Sequence, residues 1–249
     1  MDYNKIYCHD CITGMQQLDE KTVDLIITSP PYNVTIDYDG YADDMSLDDY
    51  LDWSKKWMGE CFRVLKDGGR FCLNVADILN REESGPYSIY LGKIALDIGF
   101  QFYSKIIWVQ NDVFNATSWG SWESASCPAF LCEFENVLVF YKTQKKTIEK
   151  GEDDIKAEEF KEWVRCLWNI APDRRKLHPA PFPVSLPYRL IKLLSFKDAI
   201  ILDPFMGSGT TALASKMLER RYIGFDTSEE YCKIAKKRVD SFVTLRDWW

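Results

Sequence analysis

No stretch of this sequence approaches the roughly 18–20 consecutive apolar residues that a membrane-spanning helix needs. The first residues, MDYNKIYCHD, carry no apolar run of the secretory type, so no leader is expected. Histidine is scarce, with only His9 and His178. Cys8-His9-Asp10-Cys11 has ligand-like residue types, but no second CxxC accompanies it, so no metal is expected. The eight cysteines are scattered and do not read as a disulfide framework. Reduced thiols in a cytoplasm are the simpler expectation. Positive charge is also in deficit: 31 Lys+Arg stand against 38 Asp+Glu, a net charge of −7. Taken alone, that balance argues against a general polyanion binder.

What the sequence does have is an ordered core composition, 46% hydrophobic and 28% charged over 249 residues. That length suits one domain, 1–249, with at most a small inserted lobe. Apolar runs alternate with helix-length amphipathic segments, the signature of an α/β sheet. Strands are expected at Lys5–Cys8, Val23–Thr28, Arg70–Val75, Gln101–Val109, Val137–Tyr141, Ala199–Asp203 and Tyr222–Phe225. Helices are expected at Leu47–Leu65 behind a Ser46/Asp49 capping box, and at Tyr87–Ile98 ending on Gly99. Others are expected near Pro187–Ser195, at Thr210–Glu219 and after Ser228. Two stretches break the rhythm. Asn111–Phe134 is aromatic without periodicity, and its Phe114, Trp119, Trp122 and Phe130 should be buried or face a ligand. Gln144–Lys161 is strongly charged and reads as a solvated excursion.

Two turns carry chemistry. The segment AIILDPFMGSGTTALASKML reads strand, tight turn, helix. Gly207 and Gly209 let the backbone approach a ligand, and a helix N-terminus can hold an anionic group. A phosphate-binding P-loop would need Lys after the turn, where Thr210 and Thr211 stand. A dinucleotide fingerprint would need a third glycine, where Ala212 stands. S-adenosylmethionine is the third option, its carboxylate at the turn and its ammonium near Asp203; a ligand-free turn is the fourth. A second strand ends about 20 residues on at Asp226, which suits two ribose hydroxyls or a helix cap.

The other turn is Ser29-Pro30-Pro31-Tyr32-Asn33, directly after an apolar strand. Two prolines fix φ and remove two donors, leaving rigid carbonyl acceptors. Such a turn suits a planar group with an exocyclic amine: Ser29 hydroxyl and the Pro30 carbonyl accept its hydrogens, and Tyr32 stacks. A nucleobase amine is a poor nucleophile because its lone pair is delocalised. Acceptors aimed at it favour a tetrahedral nitrogen and stabilise the positive charge that appears during methyl transfer. The plainer alternative is a proline-stiffened loop.

Together, TSPPYN and LDPFMGSGTT resemble the catalytic and cofactor motifs of the DNA amino-methyltransferases, which methylate cytosine N4 or adenine N6 using S-adenosylmethionine. The catalytic turn comes first, the circularly rearranged beta order of that family. The resemblance covers nearly the whole chain. It implies a seven-stranded, mostly parallel Rossmann-like sheet with helices on both faces. It implies a catalytic Ser29, Pro30, Pro31 and Tyr32. It places Asp10 at the cofactor adenine, Asp226 at the ribose, and Phe182 and Pro183 at the methionine end. Asp203, Phe205, Gly207, Ser208, Gly209, Thr210 and Thr211 form the cofactor turn. Ser at the first catalytic position favours cytosine N4, with adenine N6 the alternative; protein or RNA amine substrates are opposed by the motif order. No Pro-Cys pair stands in a catalytic turn, which disfavours covalent C5 chemistry.

The partner implied is double-stranded DNA, with the target base flipped out. The variable recognition segment of this arrangement falls at about 111–165, where Trp119 and Trp122 are candidate DNA contacts. It is short, so a short site or a homodimer is expected. A cognate restriction endonuclease acting on the same site is a further candidate partner. Phosphate contacts are expected at Arg174, Arg175 and Lys176, with Lys142, Lys145, Lys146 and Lys150 as a second cluster. Lys233, Lys236, Lys237 and Arg238 read as a solvated helix face.

Overall fold

The computed structural model describes residues 1–32, 45–77, 85–110, 120–128, 130, 132–147, 150–173 and 182–242, with backbone alone at 37–38 and 41–42. In chain order the elements are β1 (Lys5–Cys8), α1 (Cys11–Met15), β2 (Val23–Thr28), β3 (Asp37–Tyr38), β4 (Tyr41–Ala42), α2 (Leu47–Val64), β5 (Leu65–Val75) and α3 (Tyr87–Ile98). There follow β6 (Gln101–Val109), β7 (Phe134–Tyr141), α4 (Ala157–Trp163), β8 (Leu167–Asn169), α5 (Ser185–Leu194), β9 (Ile200–Asp203), α6 (Thr210–Met217), β10 (Arg221–Asp226) and α7 (Glu229–Asp240). Eight strands make one sheet in the order β1-β10-β9-β2-β5-β7-β6-β8. All seven expected strands are in it. The eighth, β8, pairs parallel with β6 and is too short for its apolar content to register in the sequence. The β3–β4 hairpin is a separate addition.

Alternation along the strands sorts two cores. Ile26, Phe71, Leu73, Phe140 and Leu202 face one way and pack with α2 and α3 through Trp57, Met58, Cys61 and Leu91. Leu25, Ile27, Cys72, Val139 and Ile201 face the other way and pack with α5 and α6 through Leu186, Leu190, Ile191 and Ala214. Every second residue is apolar on both faces, as a sheet covered on both sides requires. No described helix is long and apolar enough to cross a membrane.

The helix ends follow local chemistry. Ser46 Oγ accepts from the Asp49 amide at 3.2 Å, and its hydroxyl meets the Asp49 carboxylate at 2.6 Å. Gly99 ends α3 with φ 119°. Ser228 caps α7 through the Tyr231 amide at 3.1 Å. Helix α5 begins two residues ahead of Pro187, earlier than expected.

The charged segment is solvent-exposed along most of its described length, as expected, but it runs into α4 and three of its acids reach back to the body. Asp154 pairs with Arg220, whose side chain is fully buried, at 2.5 and 2.9 Å. Glu159 pairs with buried Lys192 at 2.6 Å, and Glu152 with Lys197 at 2.5 Å. The partners lie on α5 and in the loops flanking β9 and α6, beyond the reach of any local pattern. Lys142 also departs from expectation. It is 6% exposed. Its Nζ donates to the carbonyls of Phe62 and Leu65 at 2.6 and 2.8 Å, at the end of α2. It therefore satisfies the orphan acceptors and negative pole of that helix, and is not available to a phosphate.

Candidate active site

The strand order sets the site. From β9 the chain passes through α6 to β10 on one side; from β2 it passes through α2 to β5 on the other. The adjacent β2 and β9 are thus a topological switch point, and ligands in open α/β sheets bind in the crevice at its carboxyl ends. Both turns singled out by sequence emerge there. They are tied together: Thr28, just before Ser29, donates to Asp203 Oδ1 at 2.8 Å.

On the β9 side, Asp203 is 1% exposed. Its other oxygen accepts from Thr211 Oγ1 at 2.6 Å, and the Phe205 amide lies 3.1 Å from Oδ1. Burial pushes its carboxyl up to about 7, against the pull of these three hydrogen bonds. Among the described residues, these hydrogen-bond partners are all neutral. The turn then opens at Gly207 and Gly209, both with positive φ, 49° and 80°. A Cβ on Gly209 would stand 2.8 Å from the Ala235 Cβ, so the turn also needs glycine for close packing on α7. Asp226 ends β10 and accepts from the Gly207 amide at 2.8 Å and the Ser228 amide at 2.9 Å. Asp10 lies on the neighbouring strand end, where its carboxylate caps α1 at the Thr13 amide, 3.0 Å.

Ser208, Thr210 and Thr211 are buried, and Phe205 packs on Trp53 and Trp57. Arg238 is not on a solvated face: it donates to Ser208 Oγ at 3.2 Å and Thr210 Oγ1 at 2.9 Å, bracing the turn from α7. Phe182 is half-buried and Pro183 buried, beside α5.

On the β2 side, Pro30 is buried, and the Pro31 carbonyl accepts from Tyr50 at 2.8 Å. Tyr32 is 9% exposed, so less of its ring is offered than a stacking platform suggests. Its hydroxyl turns inward, 2.7 Å from Ser29 Oγ and 3.2 Å from Glu135 Oε2. Glu135 also accepts from Asn74 at 2.6 Å and Gln110 at 2.7 Å. These three residues were missed from sequence. They meet because β7 is antiparallel to both neighbours, so its first residues lie at the carboxyl ends of β5 and β6. The available signal was an acid and an amide placed in apolar strand runs, FENVLVF and RFCLNV.

Of the DNA candidates, Trp122 is 66% exposed, and Phe130 in the same region is 73% exposed. Burial in the body is therefore excluded for both. Cys127 is exposed as well. Phe114, Trp119, Arg174, Arg175, Lys176, His178 and Asn33 lie outside the described residues.

The glycine turn with its buried acid and the Ser-Pro-Pro-Tyr turn thus lie side by side at the switch point. Residues 23–237 match the N6/N4 family model described as DNA methylase, and the chain belongs to that family. It is an S-adenosylmethionine-dependent DNA methyltransferase. The type II methyltransferase M.HpaI of Haemophilus parainfluenzae is 31% identical over 256 residues, covering 95% of this chain and 74% of the relative. M.MjaVI of Methanocaldococcus jannaschii is 42% identical over 161 residues, 64% of this chain and 82% of the relative. A proposed DNA modification methylase of Thermus thermophilus, solved with S-adenosyl-L-methionine, has a TM-score of 0.77 at 26% identity, covering 96% and 97% of the two chains. The cytosine-N4-specific PvuII methyltransferase shares the fold, with a TM-score of 0.73 at 20% identity over 97% and 88%.

Proposed function

We propose that the enzyme methylates cytosine N4 in double-stranded DNA, at a base flipped into the crevice between β2 and β9. The observation that carries this is the Ser29–Tyr32 turn, tied through Thr28 to Asp203 at the switch point. Ser29 Oγ and the Pro30 carbonyl accept the two amine hydrogens; the short neutral hydroxyl at the first position supports cytosine over adenine N6. The cofactor supplies the methyl group on its sulfonium. The residues here fit it. Asp203 is a buried acid with neutral partners, ready for an ammonium. Asp226, Asp10, Phe182, Pro183 and the residues Phe205–Thr211 line the rest of its course. As the N–C bond forms and the S–C bond breaks, Ser29 Oγ and the Pro30 carbonyl would stabilise the positive charge arising on the amine, which is discharged when one of its protons leaves to solvent.

The exposed Trp122 supports 111–165 as the recognition region; Trp119 is a further candidate contact, with Arg174, Arg175 and Lys176 as phosphate contacts in a cytoplasmic enzyme. Type II relatives support a cognate restriction endonuclease. The short recognition region supports a homodimer, which light scattering of the free and DNA-bound enzyme tests. The deciding experiment is mass analysis of nucleosides from DNA methylated in vitro. N4-methylcytosine is expected; N6-methyladenine would replace it as the product, and an unmethylated digest would remove the substrate reading.

A further inference from the structure

The charge behind the acceptor turn comes from a residue far away in sequence. Glu135 is the second residue of β7, two strands from β2, with Asn74 of β5 between them. A carboxylate has no proton to give, so each of its contacts fixes a donor. Asn74 and Gln110 use their amide hydrogens on it. Tyr32 has a single hydroxyl proton. Glu135 Oε2 at 3.2 Å is a nearer and stronger acceptor for it than the Asn74 carbonyl at 3.5 Å. With that proton turned toward Glu135, Tyr32 Oη meets Ser29 as an acceptor. Ser29, 2.7 Å away, must then be the donor. Asn74 Nδ2 stands as a further donor 3.2 Å from Tyr32 Oη and a long 3.5 Å from Ser29 Oγ, which leaves Ser29 a lone pair for the target amine.

We infer that Glu135 is the positioning residue of the acceptor turn: through Tyr32 it orients the Ser29 hydroxyl as an acceptor and backs it with negative charge. This rests on the amine-methylation reading above. A hydroxyl chain anchored on an anion is polarised along its length, so Ser29 Oγ becomes a better acceptor as charge develops on nitrogen. A neutral serine thereby gains support that an isolated hydroxyl lacks.

The arrangement makes transfer sensitive to pH. Burial holds the Glu135 carboxyl above the ordinary carboxylate range, and the hydrogen bonds from Asn74, Tyr32 and Gln110 bring it only partway back. The groups facing it are the Tyr32 hydroxyl from the β2 turn, the Asn74 amide from β5 and the Gln110 amide after β6. On its own strand Asn136 follows, with Asp77 beyond at 3.2 Å. Protonated Glu135 would donate, reverse the chain and turn the Ser29 proton toward the amine. Transfer therefore falls as pH drops through the raised carboxyl pKa.

The test uses the full chain, tritiated S-adenosylmethionine and unmodified phage DNA of high sequence complexity, in single turnover across pH. Glu135→Gln, nearly isosteric, should slow transfer roughly 100-fold, keep cofactor affinity within about twofold and lose the acidic limb of the profile. Glu135→Asp should recover part of the rate and the limb. Tyr32→Phe should lose the limb although Glu135 is intact. A Glu135→Gln enzyme within about threefold of wild type, or one keeping the wild-type limb, overturns the inference. If that variant melts early, the Glu135→Asp and Tyr32→Phe profiles decide. A wild-type enzyme that binds cofactor but methylates no DNA instead removes the substrate reading, and the inference with it.

Discussion

The two turns at the switch point are built in opposite ways. The cofactor turn is assembled almost within one stretch of chain: Asp203, Phe205, Gly207, Thr211 and Asp226 serve one another over 2 to 19 residues. The acceptor turn is assembled across the sheet, with Tyr32 meeting Asn74 at a separation of 42 residues and Glu135 at 103. One buried acid stands behind each, and their settings differ. Asp203 accepts from two threonine hydroxyls and the Phe205 amide within its own turn and the end of β2; Glu135 accepts from side chains of three other segments and reaches Ser29 only through Tyr32. One turn is fixed by its own neighbours along the chain; the other depends on the registry of β2, β5 and β7.

The largest effect should come from the acceptor side. Ser29→Ala and Tyr32→Ala are each expected to cut tritiated methyl transfer to DNA by about 100- to 1,000-fold, with cofactor affinity by equilibrium dialysis unchanged. Full activity in both would dissolve the contrast between the turns.

Next comes Asp203→Asn, expected to weaken cofactor binding roughly tenfold through loss of the ammonium partner. Its pH signature is sharper. The wild-type acid is neutral below about 7, so binding a cation there must first expel a proton; affinity should rise with pH up to about 7 and then level. The variant should be flat in dialysis over the same range. Stability has the opposite sign. The folded carboxyl holds its proton between 3.8 and about 7 while the unfolded one does not, so this group's contribution declines as pH rises through that window. Above pH 7 the variant's melting midpoint should therefore exceed the wild type's in the absence of cofactor.

Gly209→Ala tests the cofactor turn by geometry. A left-handed φ and a Cβ clash with Ala235 should cost about 2 kcal/mol and lower the melting midpoint by roughly 4–8 °C. Lys142→Met probes a cation that serves neither turn. It should destabilise by about 1 kcal/mol through unsatisfied carbonyls at the end of α2. The salt dependence of DNA binding, read by fluorescence anisotropy, should not change.

Legibility in the sequence followed the same divide. Strand β2, helix α3 and the caps at Ser46 and Ser228 depend on nearest neighbours, and all were foreseen. So were the strand, glycine turn and helix through Asp203–Met217, because their parts lie close along the chain. Lys142, Arg220 and Lys192 were opaque because burial was matched by partners from distant elements. Glu135 was opaque for a topological reason. Only the reversal of β7 brings its first residues to the catalytic edge, and no local pattern encodes strand direction.

That reversal also shapes the loop that leaves β6 and returns to β7. Both its stems stand at the same edge, clasped by Gln110 on Glu135 at 2.7 Å and by the Gln110 amide on the Glu133 carbonyl at 3.1 Å. A loop closed at its base is cheap to lengthen: each doubling adds only about 0.6 kcal/mol of closure entropy. Insertions between the stems would shift neither Gln110 nor Glu135.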